Sequence, residues 1–182
     1  MLPVKYKLTI TDWHKIVDTG IFADKNLEFR DGEIIQLSPE GYWHSIKNEI
    51  IRDRLVKLLG DRAFVRQAHP ISLDNWEPSP DLAICKAPYS RYLKRLPTSA
   101  DIYLLLEISD STLSYDLGEK ADRYAANNIP EYWVADINKN VLHLYREPIN
   151  GKYEKVLQAE KDVCTLAFPE LNINLETIFW EA

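Results

Sequence analysis

Two acidic residues occupy positions where an ionised side chain needs a specific partner. Glu107 interrupts the apolar run of residues 102–108, and Asp81 directly follows Pro80 at the start of an earlier apolar stretch. Desolvating a carboxylate inside a strand is costly unless it is paired, protonated or bound to a metal. If the two stretches are neighbouring strands, both residues offer hard oxygen ligands to one Mg²⁺ or Mn²⁺ ion. The alternative is structural, with Glu107 paired to an arginine and Asp81 making a turn contact.

Lys120 adds a cation to this pair of carboxylates. It lies 13 residues after Glu107, on the helix expected to follow that strand. If the helix folds back over the carboxyl end of the strand, Lys120 could orient a water nucleophile or stabilise charge developing on a phosphate. The alternative is an exposed lysine in an i,i+4 ion pair with Asp116, worth only tenths of a kcal/mol. Tyr124, one turn further, faces the same side and is expected to be a core residue.

Strands and a helix from the centre of the chain must position these residues. The run around Glu107 is typical of a central strand buried on both faces. Residues 81–85 predict the preceding strand, and a helix over residues 116–127 and a strand over residues 131–137 follow. A turn then leads to another strand over residues 141–145. This order predicts an α/β (α+β) fold, a mixed central sheet flanked by helices.

The first third of the chain predicts three further elements. A short amphipathic helix is expected near the start, capped by Thr11 or Asp12. Asp31-Gly32 between two apolar stretches predicts a hairpin with a type I′ turn. Apolar residues recur at helical spacing over residues 42–59, and Gly60 follows as a C′ residue. The polar face of this long helix carries Arg52, Arg54 and Lys57.

Composition narrows the class of protein. The chain has 182 residues, 46% hydrophobic and 27% charged, which predicts one domain over residues 1–182 with a substantial core. No apolar run approaches the ~20 residues that span a bilayer, and residues 1–10 lack the apolar stretch of a secretory signal. A cytoplasmic protein without a membrane partner is therefore expected. Cys85 and Cys164 are far apart and predict neither a disulfide framework nor a zinc cluster.

Charge argues against binding of nucleic acid by bulk electrostatics, because the net charge is −6. Carboxylates of a metal site add negative charge that bound cations neutralise, and a local basic patch can outweigh the net sign. Residues 86–95 supply such a patch directly after the Asp81 strand, where it could flank the site. Its basic residues are Lys86, Arg91, Lys94 and Arg95, interleaved with Tyr89 and Tyr92. This combination suits phosphate contact and base stacking, and the alternative is a solvated loop packed against the fold.

Six motifs follow one another over about residues 10–145. They are Leu27-Glu28-Phe29-Arg30-Asp31-Gly32-Glu33-Ile34, Ser38-Pro39 with His44, Pro80-Asp81, Leu106-Glu107-Ile108-Ser109 with Ser111-Thr112, Asp116-Leu117-Gly118-Glu119-Lys120 with Tyr124, and Ile129-Pro130-Glu131-Tyr132-Trp133. Together they resemble the Uma family of bacterial endonucleases, which belongs to the PD-(D/E)XK superfamily. Each motif alone is weak, but their combination and order are specific. The resemblance implies a restriction-endonuclease-like core with an N-terminal β-hairpin.

The resemblance also implies roles for the matching residues. Asp81 and Glu107 would be ligands of Mg²⁺, for which Mn²⁺ could substitute, and Lys120 would be the catalytic lysine. Glu33 or Glu28 would be an additional acidic residue of the site. The substrate implied by the resemblance is DNA.

The sequence leaves open the position of the lysine function and the role of His44. Ser109 stands two positions after Glu107, where the superfamily usually has lysine, so the lysine function would have moved to Lys120, as in the Uma pattern. His44 matches a family position near the start of the long helix, where it could position a phosphate or a water, or have no catalytic part. Glu49, on the same helix, is expected to be structural.

The leading hypothesis is metal-assisted hydrolysis of phosphodiester bonds in DNA by an endonuclease. A second hypothesis is a catalytically silent nuclease-fold module that binds nucleic acid or a protein. A third is a metal-dependent hydrolase acting on another phosphate compound. The sequence contains no P-loop, HExxH or GxSxG motif, which disfavours nucleoside triphosphatase, zinc protease and serine hydrolase functions. Cutting both strands of a duplex would most simply need two active sites, so a homodimer is expected.

Overall fold

The computed structural model describes residues 3–180, and its first elements are a helix and a hairpin. Helix α1 (Ile10–Asp18) is capped by Thr9, whose side chain accepts the amide of Asp12 at 3.1 Å while the Asp12 carboxylate accepts the amide of Thr9 at 3.0 Å. The predicted cap at Thr11 or Asp12 was therefore wrong, because Asp12 is the third helical residue of a capping box. Strands β1 (Leu27–Arg30) and β2 (Glu33–Gln36) form the predicted hairpin.

The hairpin turn and the long helix follow their predictions. Asp31 and Gly32 have φ values of 52° and 84°, the positive values that a type I′ turn requires. Helix α2 (Tyr42–Leu59) covers the predicted range and ends at Gly60. No helix within residues 3–180 is both long enough and apolar enough to cross a membrane.

A six-stranded mixed sheet forms the centre of the fold. In chain order, the next strands are β3 (Ala63–Gln67), β4 (Trp76–Glu77), β5 (Leu82–Lys86), β6 (Ile102–Ser109), β7 (Glu131–Asp136), β8 (Val141–Ile149) and β9 (Lys152–Ala159). The large sheet has the order β3-β5-β6-β7-β8-β9, in which β6 and β7 are parallel and the other neighbours are antiparallel. Strand β4 pairs instead with β1, giving a small sheet of order β2-β1-β4.

The helix after β6 is composite. Helix α3 (Leu113–Tyr115), a π-helical turn (Asp116–Lys120) and helix α4 (Ala121–Ala126) follow without a break and are called the composite helix below. It therefore starts three residues before the predicted helix. The hydroxyl groups of Tyr132 and Tyr145 donate to the carbonyl groups of Asp116 and Leu117 at 3.1 and 3.0 Å. Tyrosine side chains from the sheet thus donate hydrogen bonds to carbonyl groups of the π-helical turn, which also carries Lys120.

Side-chain alternation along the strands builds one core on each face of the large sheet. On one face, α2 and the chain's last segment pack against β5 and β6. This core includes Ile51, Leu55, Leu59, Leu82, Ile84, Leu104, Leu106, Ile108, Leu175 and Phe179. On the other face, the composite helix packs against the sheet, with Ala83, Cys85, Leu105, Ala121, Tyr124, Ala125, Tyr132 and Val134. Glu107 shares the alternation of Leu105, so it faces the composite helix.

The chain's last segment closes the first core. Strands β10 (Asp162–Val163) and β11 (Ile173–Asn174) pair with each other, and a π-helical turn (Glu176–Trp180) follows them. Leu175 and Phe179 are buried against α2 and the sheet. This segment therefore completes the hydrophobic core.

A buried ion pair lies at the start of β7. The side chain of Glu131 is fully buried, and its Oε1 atom lies 2.7 Å from Nε and 2.6 Å from Nη2 of Arg146. Nε1 of Trp133 donates to the same oxygen at 2.9 Å, and the amide of Leu166 donates to Oε2 at 2.8 Å. Four donors, two of them from the Arg146 cation, thus compensate the desolvation of this carboxylate.

Removing the cation should leave an uncompensated buried charge. We expect Arg146→Met to lower the free energy of unfolding by about 3–5 kcal/mol at pH 7, measured by urea denaturation. Adding Glu131→Gln to Arg146→Met should recover part of the loss, because the buried charge is then gone. Equal stabilities of wild type and Arg146→Met would show that the pair contributes nothing.

Candidate active site

Asp81 and Glu107 meet on neighbouring strands. Leu82 of β5 is opposite Leu106 of β6, and this antiparallel register brings the residue before Leu82 next to the residue after Leu106. The Oδ2 atom of Asp81 accepts the backbone amide of Ile108 at 2.7 Å, and the amide nitrogen of Asp81 lies 3.5 Å from Oε2 of Glu107. Both carboxylates are buried. The segments that carry Asp81 and Glu107 are therefore neighbours in the sheet, which the sequence had left open.

The composite helix brings two more groups to Glu107. Lys120 Nζ lies 2.9 Å from Glu107 Oε1, and the hydroxyl of Tyr124 donates to the same oxygen at 3.1 Å. Lys120 Nζ is also 3.8 Å from Oδ1 of Asp116, the i,i+4 partner considered as an alternative. The side chain of Lys120 is only 15% exposed, so it is not a solvated surface lysine. Lys120 therefore bridges two buried carboxylates.

Helix α2 supplies the partner of Asp81. His44, in the first turns of α2, has Nε2 at 3.0 Å from Asp81 Oδ1. Its side chain is 22% exposed, so it borders solvent at this edge of the cluster. The structure thus brings together four of the predicted site residues: Asp81, Glu107, Lys120 and His44.

Burial and charge set the protonation tendencies of this cluster. Burial, reinforced by the charge of Glu107, raises the pKa of Asp81 well above its usual value. Burial also raises the pKa of Glu107, although the charge of Lys120 opposes the shift. Burial disfavours the charged form of Lys120, but the charges of Glu107 and Asp116 outweigh it and raise the pKa of Lys120. The carboxylates therefore favour an added proton or cation, while the lysine stays charged.

The donor set fits a hard divalent cation held by two protein ligands. Within residues 3–180, no group of three or more His, Cys, Asp and Glu side chains is arranged to hold a metal ion. Mg²⁺ is commonly bound through one or two carboxylates, while waters and substrate phosphates complete its octahedral coordination. Asp81 and Glu107 meet that requirement.

Glu28 lies on the same side of the fold as this cluster. It is buried on β1, and its Oε1 atom accepts Nε1–H of Trp76 at 2.6 Å. The Trp76 ring packs on the Tyr124 ring, with centroids 4.9 Å apart. Burial raises the pKa of Glu28, and the charge of Lys120 is among the effects that oppose this shift. Glu28 thus belongs to the electrostatic surroundings of Lys120.

Glu33 and Glu49 have different surroundings. The side chain of Glu33 is 62% exposed on β2, where its carboxylate lies 3.5 Å from Nζ of Lys7. Glu49 is exposed on α2. Of the two acidic residues that the resemblance left open, the structure brings Glu28, rather than Glu33, close to the cluster.

The predicted basic segment lies at the other end of β5. Lys86 is the last residue of that strand, roughly 17 Å from Asp81 at about 3.3–3.4 Å per residue. Arg95 donates through Nη1 and Nη2 to both oxygens of Asp101, at 2.6 and 3.0 Å, and Arg91 lies 3.8 Å from the same carboxylate. The structure therefore does not bring this segment to the carboxylates. A nucleic-acid role for Lys86, Arg91, Lys94 and Arg95 stays a prediction.

Two residues of the cluster had not been assigned to it from the sequence. Tyr124 was expected only in the core, and Asp116 only as the partner of an exposed lysine. Their spacing of four residues on either side of Lys120 places all three on one face of a helix. That spacing could have indicated that the three side chains act together.

A solved structure has the same fold. It is the crystal structure of "a putative nuclease belonging to DUF820" from Anabaena variabilis ATCC 29413, with a TM-score of 0.69 and 15% sequence identity. The similarity covers 94% of this chain and 97% of that chain. At this identity the comparison concerns the fold. It confirms the predicted fold class, a mixed central sheet flanked by helices.

The sequence itself matches a family. The model of the Uma2 family, described as "Putative restriction endonuclease", matches residues 14–176. The chain therefore belongs to this family, and the resemblance inferred from the six motifs is confirmed. No curated protein matches the chain.

The Arg95–Asp101 pair should appear as a pH-dependent contribution to stability. The Arg95 guanidinium holds the pKa of the Asp101 carboxyl well below its usual range. A carboxyl whose folded pKa lies below its unfolded value of about 3.9 stabilises the fold above that value and loses this effect as pH falls further. We expect Asp101→Asn to lower the melting temperature at pH 7, and the difference from wild type to shrink below about pH 4. A difference that stays constant down to pH 2.5 would contradict this assignment.

Proposed function

We propose that this protein is a divalent-cation-dependent endonuclease that hydrolyses phosphodiester bonds in DNA. The observation that carries the proposal is that two buried acidic residues, Asp81 and Glu107, lie side by side where β5 and β6 pair, with the largely buried Lys120 on the Glu107 carboxylate. Membership of a family described as putative restriction endonucleases supports phosphodiester hydrolysis as the reaction. Asp81 and Glu107 would hold Mg²⁺ or Mn²⁺, and such an ion activates a water molecule and neutralises charge on the scissile phosphate.

The chain's own residues have distinct tasks in this proposal. Lys120 stays charged and can stabilise the negative charge that develops on the phosphate oxygens during in-line attack by water. Tyr124 shares Glu107 Oε1 with Lys120 and so fixes the orientation of that carboxylate. His44 contacts Asp81 Oδ1 from the solvent side, where it can position Asp81 and an approaching phosphate.

A second candidate is a nuclease-fold protein that binds nucleic acid without cutting it. The contact between Lys120 and Glu107 favours this candidate, because the ammonium group compensates the buried carboxylate without any metal ion. The net charge of −6 opposes tight binding through bulk electrostatics. Cleavage assays separate the two candidates.

Asp81→Asn should abolish cleavage. We expect wild type to cut supercoiled or single-stranded DNA with Mn²⁺ or Mg²⁺ and not in EDTA, and Asp81→Asn to be at least about 100-fold slower, because a ligand of the cation is lost. Glu49→Gln, which removes an exposed carboxylate from α2, should cut like wild type. Equal DNA binding by wild type and Asp81→Asn, with no cleavage by either, would favour the binding module.

Glu28 and Glu33 form a matched pair of variants on one hairpin. We expect Glu28→Gln to lower kcat about tenfold with little change in KM, because Glu28 contributes to the field around Lys120. Glu33→Gln should stay within about twofold of wild type, since Glu33 faces solvent. Melting temperatures of both variants serve as the folding control. A larger effect of Glu33→Gln than of Glu28→Gln would reverse the assignment.

A further inference from the structure

A polar cavity lies at the β3 edge of the six-stranded sheet. Its volume is about 320 Å³, and its lining residues are Arg52, Phe64, Val65, Arg66, Gln67 and His69. The lining contains two arginines and a histidine but no acidic residue, in a chain whose net charge is −6. This space is called the basic cavity below. Its charge suits an anion.

The basic cavity adjoins the carboxylate cluster through the backbone. Gln67 and His69 flank Ala68, whose amide donates to the carbonyl of Asp81 at 3.0 Å. Ala68 has a φ of 48°, a left-handed conformation that costs a residue with a Cβ about 1–2 kcal/mol. The chain therefore turns sharply beside Asp81, between two residues that line the cavity.

Helix α2 connects the same two places. His44 contacts Asp81 near the start of the helix, and Arg52 lines the basic cavity eight residues later. Eight residues correspond to about 12 Å along a helix. The two contacts are thus held at a fixed separation by one rigid element.

Arg66 has a donor that lacks an acceptor. Its Nε atom is buried and has no hydrogen-bond partner among the described residues, whereas Nη2 donates to the carbonyl of Pro70 at 3.1 Å. An unsatisfied buried donor costs about 1–3 kcal/mol. Arg52 donates to Asp53, its neighbour on α2, at 2.8 Å, and its side chain is 39% exposed. The lining thus contains one guanidinium, that of Arg66, whose hydrogen bonds are incomplete, and a second, that of Arg52, within reach of solvent.

We propose that the basic cavity binds a backbone phosphate of the DNA strand that is cut at Asp81 and Glu107. This inference rests on the proposed function and extends it by naming the second contact with the substrate. Guanidinium groups recognise phosphate oxygens through paired hydrogen bonds. Successive phosphates of one strand are farther apart than the ~3.4 Å rise along the duplex axis, so about 12 Å spans at most roughly three nucleotides. The cavity therefore contacts a phosphate a few nucleotides from the cut.

The test measures DNA binding in EDTA, where no cleavage takes place. Fluorescence anisotropy of a labelled 20-base-pair duplex, recorded between 50 and 200 mM salt, gives the slope of log K against log salt. Each lost phosphate contact lowers the magnitude of that slope by about 0.9 for duplex DNA. We expect this decrease for Arg52→Gln and for Arg66→Gln. Lys57→Gln, which removes an exposed charge of α2 that does not line the cavity, should keep the wild-type slope.

Two results would overturn the inference: slopes for Arg52→Gln and Arg66→Gln that match Lys57→Gln, or no binding of the duplex by wild type. Melting temperatures check that both arginine variants fold. Arg52→Gln gives a second measurement if loss of the Pro70 contact unfolds Arg66→Gln. If the slopes fall as expected but no metal supports cleavage, the basic cavity stands and the nuclease proposal fails. The two proposals therefore fail in different ways.

Discussion

The need to compensate Glu107 in the middle of the large sheet governs the arrangement around it. A carboxylate on a strand buried on both faces requires donors and a cation close by. The composite helix supplies Tyr124 and Lys120, both on the same oxygen of Glu107. Tyr132 and Tyr145 in turn hold two carbonyls of the π-helical turn against the sheet. The packing of the composite helix against the sheet therefore also sets the position of the charge that compensates Glu107.

Local patterns predicted the elements well, because their causes are local. The Asp31-Gly32 turn, the helical period of α2 and the apolar run of β6 each act within a few residues. The pairing of particular side chains was not readable in this way. Arg95, which is predicted to contact nucleic acid, also pairs with the buried carboxylate of Asp101 six residues later in the chain. Lys86 is only five residues from Asp81 in sequence, but the two lie at opposite ends of β5. An extended strand rises about 3.3 Å per residue, so it carries Lys86 away from the carboxylates.

The distinction between Glu28 and Glu33 shows how a small element decides a site. Both residues lie in one hairpin, and the sequence gives no reason to prefer either. Strand β4 has only two residues, yet its pairing makes β1 the middle strand of the small sheet and leaves β2 at the edge. Trp76 of β4 then reaches Glu28 and packs on Tyr124. The burial of Glu28 and its link to the cluster therefore depend on the pairing of β1 with β4, a strand that lies over 40 residues later in the chain.

Helix α2 links the hydrophobic core to the proposed DNA contacts. Its residues Ile51 and Leu55 are fully buried against the large sheet, and this packing fixes the helix relative to β5 and β3. The same helix presents His44 to Asp81 and Arg52 to the basic cavity. A protein of net negative charge cannot rely on a general field to hold DNA. It can instead hold two phosphates at a set distance, and the core packing of α2 keeps that distance constant.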